Sequence, residues 1–227
     1  TSEFLRGLTD RRLRVMSSGL NEGLARARNR GIAAAKFDWI AFTDDDCLAH
    51  PDWLAELSAS LARDGIAFAF GETHYVKEGY VGYFPERLVR NVGAVWPMGC
   101  NIAYRKAIFD LVGGFDPLFY KFHNEDSEMA IRAVAHGYKY ARTPAAIVYH
   151  QQMDWTASSL LSSAKNAAVW PALKKKYPAH YRHFGGPVQL GIFVHAEDYL
   201  FFLLMPILLP LLFIRFVWHG QREFKLF

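Results

Sequence analysis

Apolar and polar positions follow two alternating rhythms along the first 150 residues. From Asn21 to Ala35 the spacing predicts a helix, with Leu20, Leu24, Ala27 and Ile32 near helical intervals and Gly31 as its weak point. Ahead of it, Leu13-Arg14-Val15-Met16 has the composition of a short strand. Trp39-Ile40-Ala41-Phe42-Thr43 is an apolar run of strand length that stops abruptly on Asp44-Asp45-Asp46. Pro51 opens the next helix as its first residue, with Trp53, Leu54, Leu57 and Leu61 on one face and Gly65 beyond its end. Ile66 to Phe70 is again an apolar strand. Strand, acidic turn, helix, strand is the rhythm of an open, mostly parallel α/β sheet. Such sheets bind ligands at the carboxyl ends of their strands, where the aspartates fall.

The second half is less regular. Thr73 to Pro97 is aromatic-rich without a period, which predicts a long binding-type loop. Asn101 to Tyr104 reads as a strand and Lys106 to Leu111 as a short helix; Gly113-Gly114 then breaks the chain before Phe115-Asp116-Pro117. Glu125 to His136 is a predicted helix with Met129, Ala130, Ala133 and Val134 inward, ended by Gly137. Ala145 to Tyr149 is an apolar strand that ends on His150. Trp155 to Tyr181 reads as amphipathic helix. Tyr199 to Trp218 is apolar except for Arg215, and at ~1.5 Å per residue it reaches roughly 30 Å, the thickness of a bilayer core. Pro206 and Pro210 inside it would kink a helix, so a re-entrant or interfacial segment fits as well. The expected division is 1–154 catalytic, 155–186 amphipathic and interfacial, and 187–227 membrane-associated.

Composition changes this picture only at the edges. A chain of 227 residues holds one full domain with something extra, and its 52% hydrophobic content is weighted toward the last thirty positions. A net charge of +4 is too small and too scattered to imply nucleic acid. Lys174-Lys175-Lys176, with Arg182 nearby, lies upstream of the apolar tail and reads either as a contact with anionic headgroups or as a solvated face. Cys47 and Cys100 match no zinc or redox spacing, and two such cysteines fit a reducing compartment. Thr1 to Arg14 carries no apolar signal-peptide core.

The candidate chemistry is acidic. Side chains two apart on an extended backbone point the same way, so Asp44 and Asp46 can face one ion while Asp45 turns away. Mg²⁺ and Mn²⁺ take one or two carboxylates plus phosphate oxygens, and such a metal can clamp a diphosphate. The alternative is a polar turn that caps the following helix. Glu125-Asp126 opens a helix, where acidic residues contribute roughly 0.3–1 kcal/mol; the other reading is a carboxylate base whose neighbour orients an acceptor hydroxyl. His150, at a strand end, is a candidate third metal ligand beside two carboxylates.

These stretches in this order resemble the family 2 glycosyltransferases of the GT-A fold. The matching segments are Gly23 to Gly31, Trp39 to Asp46, Pro51-Asp52-Trp53-Leu54, Gly99-Cys100-Asn101, Gly113-Gly114-Phe115-Asp116, Glu125-Asp126 with Arg132 and Gly137-Tyr138, and His150, together covering about Leu13 to His150. The resemblance implies a Rossmann-like, open sheet flanked by helices, and one inverting displacement at an anomeric carbon. It implies that Asp44 and Asp46 contact the donor and a Mn²⁺ or Mg²⁺ ion, with His150 as a further metal ligand. Asp126 then corresponds to the catalytic base with Glu125 beside it, Asp45, Arg28 and Asn29 lie near the donor nucleotide, and Gly99 and Asn101 line the sugar and acceptor site. The family's first strands, which hold the nucleotide base, have no counterpart before Leu13, so the chain is expected to lack them.

The implied partners are a nucleotide-sugar donor, a lipid-linked or polysaccharide acceptor, the cytoplasmic face of the cell membrane and a protein partner in a membrane complex. Arg215, Arg222 and Lys225 follow the apolar segment while Glu197 and Asp198 precede it, which by charge bias puts the C-terminus inside; a re-entrant segment reconciles this with a cytosolic donor. Two other readings compete: a non-catalytic, glycosyltransferase-derived membrane subunit, and an aspartyl-phosphate phosphatase. The phosphatase chemistry expects a Gly-Thr-like turn after the second aspartate, where Cys47-Leu48 stands.

Overall fold

A computed structural model describes residues 9–76, 90–118, 124–151 and 169–185, together with residues 5, 7, 206, 207 and 210. Helix α1 (Leu24–Ala34) starts after Gly23 and buries Ala25, Arg28 and Ile32 at helical spacing. It leads into strand β1 (Trp39–Phe42), the acidic turn and the short strand β2 (Cys47–Ala49). Helix α2 (Trp53–Ala62) buries Trp53, Leu57 and Leu61, one residue per turn on a single face. Gly65, at φ 75, turns the chain into β3 (Ile66–Tyr75), whose first six residues are all buried. Strand β4 (Ile102–Arg105), helices α3 (Ala107–Val112) and α4 (Glu125–Ala135), and strand β5 (Lys139–His150) complete the sheet unit. Helix α5 (Val169–Lys176) and a 3₁₀ turn at Tyr181–His183 follow.

The five strands lie in the order β1-β4-β3-β5-β2. This corrects the expectation of a mostly parallel sheet: β3 and β5 pair in parallel, whereas β1–β4, β3–β4 and β2–β5 are antiparallel. The apolar runs of β3 and β4 are buried on both faces, and such a run carries no mark of the direction of its neighbour. Leu13 to Met16 is not a strand; Leu13, Val15 and Met16 are exposed, and no strand pairs with them among the described residues. β3 runs on to Tyr75, so the irregular segment begins later than Thr73.

A break in register shapes the site end of the sheet. Gly71 pairs with Thr143, but the next residue, Glu72, pairs with Ile147, so Pro144, Ala145 and Ala146 bulge out of β5. The Ala146 carbonyl then presses against Gly71 where a Cβ would stand, which is why position 71 has no side chain. Beyond the bulge, Ile147 to His150 runs between β3 and β2.

The core divides into two clusters. In one, Phe68, Phe70, Ile102 and Tyr104 pack with Phe115, Met129 and Ile131. In the other, Trp53, Leu57 and Leu61 of α2 pack on Ala69, Ala103, Ala141 and Val148. Each fully buried large side chain contributes about 1.5–3 kcal/mol relative to exposure. Val169, Leu173, Tyr181 and Phe184 join the first cluster, so residues 169–185 share the core of the preceding domain. Glu128 of α4, fully buried, anchors that segment by accepting from Tyr177 Oη at 2.7 Å, Lys176 Nζ at 3.1 Å and Arg132 Nη2 at 3.0 Å. The rest of the expected amphipathic helix (155–168) and the apolar stretch Tyr199 to Trp218, apart from residues 206, 207 and 210, lie outside the described residues. Among the described residues no helix is long and apolar enough to cross a membrane.

Candidate active site

β1 ends on its last apolar residue, and the chain reverses at once: the Cys47 amide donates to the Asp44 carbonyl at 3.3 Å. β2 then pairs with the far end of β5, so that Cys47 faces His150. The Gln151 amide closes the edge by donating to the Asp46 carbonyl at 2.9 Å. This pairing brings His150 Nε2 to 3.5 Å from Asp46 Oδ1. The other ring nitrogen, Nδ1, lies 2.8 Å from the Gln151 carbonyl, which can only accept. In the neutral ring that bond holds the proton on Nδ1 and leaves the Nε2 lone pair turned toward Asp46.

Asp44 points elsewhere. Its Oδ1 lies 3.4 Å from Nη2 of Arg28, which rises from α1 and is buried. Nη1 of the same guanidinium makes a close ion pair with Glu125, and its Cζ stands 5.4 Å from the centroid of the Phe115 ring. Asp126, the next residue of α4, is fixed by two backbone donors: Gly99 N–H to Oδ2 at 2.8 Å and Ser127 N–H to Oδ1 at 2.7 Å. Asp45 is exposed.

Three carboxylates thus meet one guanidinium and one imidazole, and a fourth, Asp126, stands near enough to repel two of them. Burial lifts the Asp44 pKa above the ordinary value; Arg28 opposes the shift, and Asp46 and Asp126 add to it. Glu125 is lifted in the same way, by burial first and Asp126 second, with Arg28 pulling it back in part. Carboxylates held against their own repulsion favour a cation. The donor atoms of Asp46 and His150 lie within 4.8 Å of each other, and a carboxylate with an imidazole suits a Mn²⁺-like ion.

The structure gives the other expected residues local duties. Both polar atoms of the Asn29 side chain serve Phe115, donating to its carbonyl and accepting from its amide, each at 2.8 Å. Asn101, fully buried, donates both amide hydrogens to main-chain carbonyls, Glu72 at 2.7 Å and Ala146 at 2.8 Å, and accepts from the Trp53 indole at 2.8 Å. Asn101 therefore ties α2, β3 and the β5 bulge together. Gly99 lies against Arg28, whose guanidinium fills the place of a side chain at 99. The sequence reading missed the pairing of Cys47 with His150, since nothing local in either strand specifies it.

A model of glycosyl transferase family 2 matches residues 1–124, more than half of the chain, and a model described as the N-terminal domain of galactosyltransferase matches 95–154. The chain is 25% identical over 169 residues (63% of its length) to an uncharacterized protein of Sinorhizobium fredii. It is 24% identical over 200 residues (70% of its length) to the chondroitin synthase of Escherichia coli. It spans 18% and 29% of those two proteins. Among solved structures, the crystal structure of GalNAc-T7 with UDP, GalNAc and Mn²⁺ superposes with a TM-score of 0.51 at 19% identity, over 73% of this chain and 38% of that one. That likeness establishes a GT-A-like mixed α/β fold, and with the family match over residues 1–124 the chain belongs to the family 2 glycosyltransferases.

Proposed function

We propose that this chain transfers a sugar from a nucleotide-sugar to a hydroxyl acceptor with inversion at the anomeric carbon. The observation that carries the reading is the approach of His150 Nε2 to Asp46 Oδ1 beside Asp44 and Asp126. Asp46 and His150 would hold a Mn²⁺ or Mg²⁺ ion, with Asp44 joining when it lets go of Arg28. Such an ion, when bound, would neutralise the charge that develops on the leaving diphosphate. Arg28 holds Asp44 and Glu125 in place, and Asp45 is exposed for the donor.

Asp126 is the proposed base. Its carboxylate takes the proton of the acceptor hydroxyl, that oxygen attacks the anomeric carbon, and the bond to the diphosphate breaks on the opposite side. The two backbone donors fix its direction and leave lone pairs for the acceptor. A lipid-linked or polysaccharide acceptor at the cytoplasmic membrane face is part of the proposal; support comes from the likeness to a chondroitin synthase and from the exposed Lys174 and Lys175. Thermal shift with UDP- and GDP-sugars, with and without Mn²⁺, tests the donor site. Stabilisation that needs the metal and vanishes in Asp46→Ala is expected. A folded protein that no donor shifts in the presence of Mn²⁺ would overturn the proposal.

A further inference from the structure

The aromatic-rich loop that follows β3 has no part in the reading above, yet its described end is tightly built. Asn91, buried, pairs through its backbone with Thr73 and donates from Nδ2 to the Trp96 carbonyl at 2.7 Å. Its Oδ1 accepts from the amides of Val95 at 2.9 Å and Trp96 at 3.0 Å. Inside that turn Ala94 is fully buried at φ 47, a left-handed conformation that is strained for a residue with a Cβ. Asn124, directly before Glu125-Asp126, is the other non-glycine residue with positive φ among the described residues. All this restraint ends in an exposed ring, since Trp96 keeps 42% of its surface open. Three residues on, the Gly99 amide donates to Asp126 Oδ2, so the Cα atoms of Trp96 and Gly99 stand at most about 11 Å apart. A carboxylate–imidazole pair on β3 holds the same loop. Glu72 Oε1 accepts from the Gly93 amide at 2.6 Å, and Oε2 lies 2.8 Å from His74 Nε2. An ionised carboxylate only accepts, so in the neutral ring the proton sits on Nε2 and leaves the Nδ1 lone pair without a protein donor among the described residues. The His74 side chain is 36% exposed, and its ring centroid stands 6.0 Å from that of Tyr149.

We infer that Trp96 and His74 form a subsite for the acceptor glycan, in which Trp96 stacks on a pyranose ring and His74 Nδ1 accepts from a sugar hydroxyl. A pyranose carries an apolar C–H face that covers an indole well, while its rim hydroxyls require hydrogen-bonding partners. Glu72 fixes the tautomer of His74 for that task, as a carboxylate behind an imidazole does elsewhere. Asn91 and Glu72 are positioning residues, holding the loop and the ring without touching sugar. An acceptor nitrogen in a fixed place rejects a deoxy analogue more strongly than an apolar contact can. The assignment to the acceptor rests on the proposed function; glycan binding at Trp96 does not.

Fluorine NMR of the intact protein carrying fluorotryptophan is the test, with Mn²⁺ and UDP present. The chain's six tryptophans each give a signal, and Trp96→Tyr identifies that of Trp96 by its loss. Cellohexaose, chitohexaose and a chondroitin hexasaccharide serve as probes, and at least one is expected to shift the Trp96 signal on titration. Calorimetry should show the affinity for that glycan falling about tenfold or more in Trp96→Ala and less in Trp96→Tyr, which keeps an aromatic face. His74→Phe, which keeps a ring and loses the nitrogen, should weaken binding about threefold to tenfold. No shift with any probe, or an affinity unchanged in folded Trp96→Ala, overturns the subsite; an affinity unchanged in His74→Phe strikes His74 from it. A Trp96-dependent affinity for UDP-glucose or UDP-N-acetylglucosamine alone would give the ring to the donor sugar and overturn the acceptor assignment. Glycan binding through Trp96 in a protein that no donor stabilises leaves the subsite standing and removes the transfer reading. Donor stabilisation without glycan binding does the reverse.

Discussion

The Arg28 guanidinium stands where a side chain at position 99 would stand, and it is held there by Glu125 on one side and Asp44 on the other. An unrestrained arginine would swing away from an added methyl group. This one cannot do so without leaving a buried carboxylate uncompensated. Gly99→Ala is therefore expected to destabilise the fold by about 1–3 kcal/mol. Arg28→Ala, which strands Glu125, should cost about 3–5 kcal/mol. Urea denaturation measures both, and equal stability of Gly99→Ala and the unaltered protein would refute the packing argument.

The raised pKa of Glu125 sets a pH dependence. The native state holds this proton more tightly than the unfolded chain does, where an ordinary Glu titrates near about 4.3. Its contribution is then fully present below the unfolded value and is lost as pH rises through the higher folded value. Melting temperature followed upward from acid pH should fall over that window. Glu125→Gln should flatten the fall without abolishing it, because burial shifts Asp44 in the same direction.

Asn101 predicts a structural defect that a sugar-contacting residue would not give. Asn101→Ala leaves the buried Trp53 indole N–H and two carbonyls without their partner, at about 1–3 kcal/mol for each buried group left unpaired. The expected result is a lower unfolding midpoint, together with a change in Trp fluorescence. A variant of normal stability with impaired donor binding would assign Asn101 to the sugar site instead.

Glu128 allows a graded test of how residues 169–185 are fastened. Tyr177→Phe removes one hydrogen bond to a charged acceptor and should cost about 1.5–3 kcal/mol. Glu128→Ala removes the acceptor that Tyr177, Lys176 and Arg132 share and should cost about 3–5 kcal/mol. Limited proteolysis between residues 169 and 185 should accelerate in the same order.

Much of this molecule is legible in its residues, and the illegible parts have physical causes. The helix from Trp53 shows itself because Trp53, Leu57 and Leu61 recur once per turn and are buried, whereas Leu54, expected on the same face, is exposed. The strand from Ile66 shows itself as a continuous apolar run. Strand direction does not show, because a strand buried on both faces gives the same run beside either neighbour. Leu13 to Met16 misleads for the converse reason: four residues of strand composition do not make a strand by themselves, and no paired neighbour stands beside them among the described residues. At the site, the acidic residues are evident one by one. Asn29 and Asn101, however, look the same in sequence whether they serve a ligand or the backbone. Only their hydrogen bonds to Phe115, Glu72 and Ala146 separate the two cases. Cys47 and His150 meet through a strand register that neither local sequence encodes.

That register has a consequence for how the protein matures. The acidic turn belongs to an early part of the chain and His150 to a late one, and the edge pairing of β2 with β5 joins them last in sequence order. A partly synthesised chain that has not yet reached β5 carries all three aspartates of the turn but lacks the imidazole and the strand that aligns them. Ion affinity at the proposed Asp46 and His150 site would thus report whether the sheet has closed, and contacts so distant along the chain form slowly. On the proposed reading, a chain stalled before that closure would bind neither donor nor metal, and the site and the final strand pairing would be acquired in a single step.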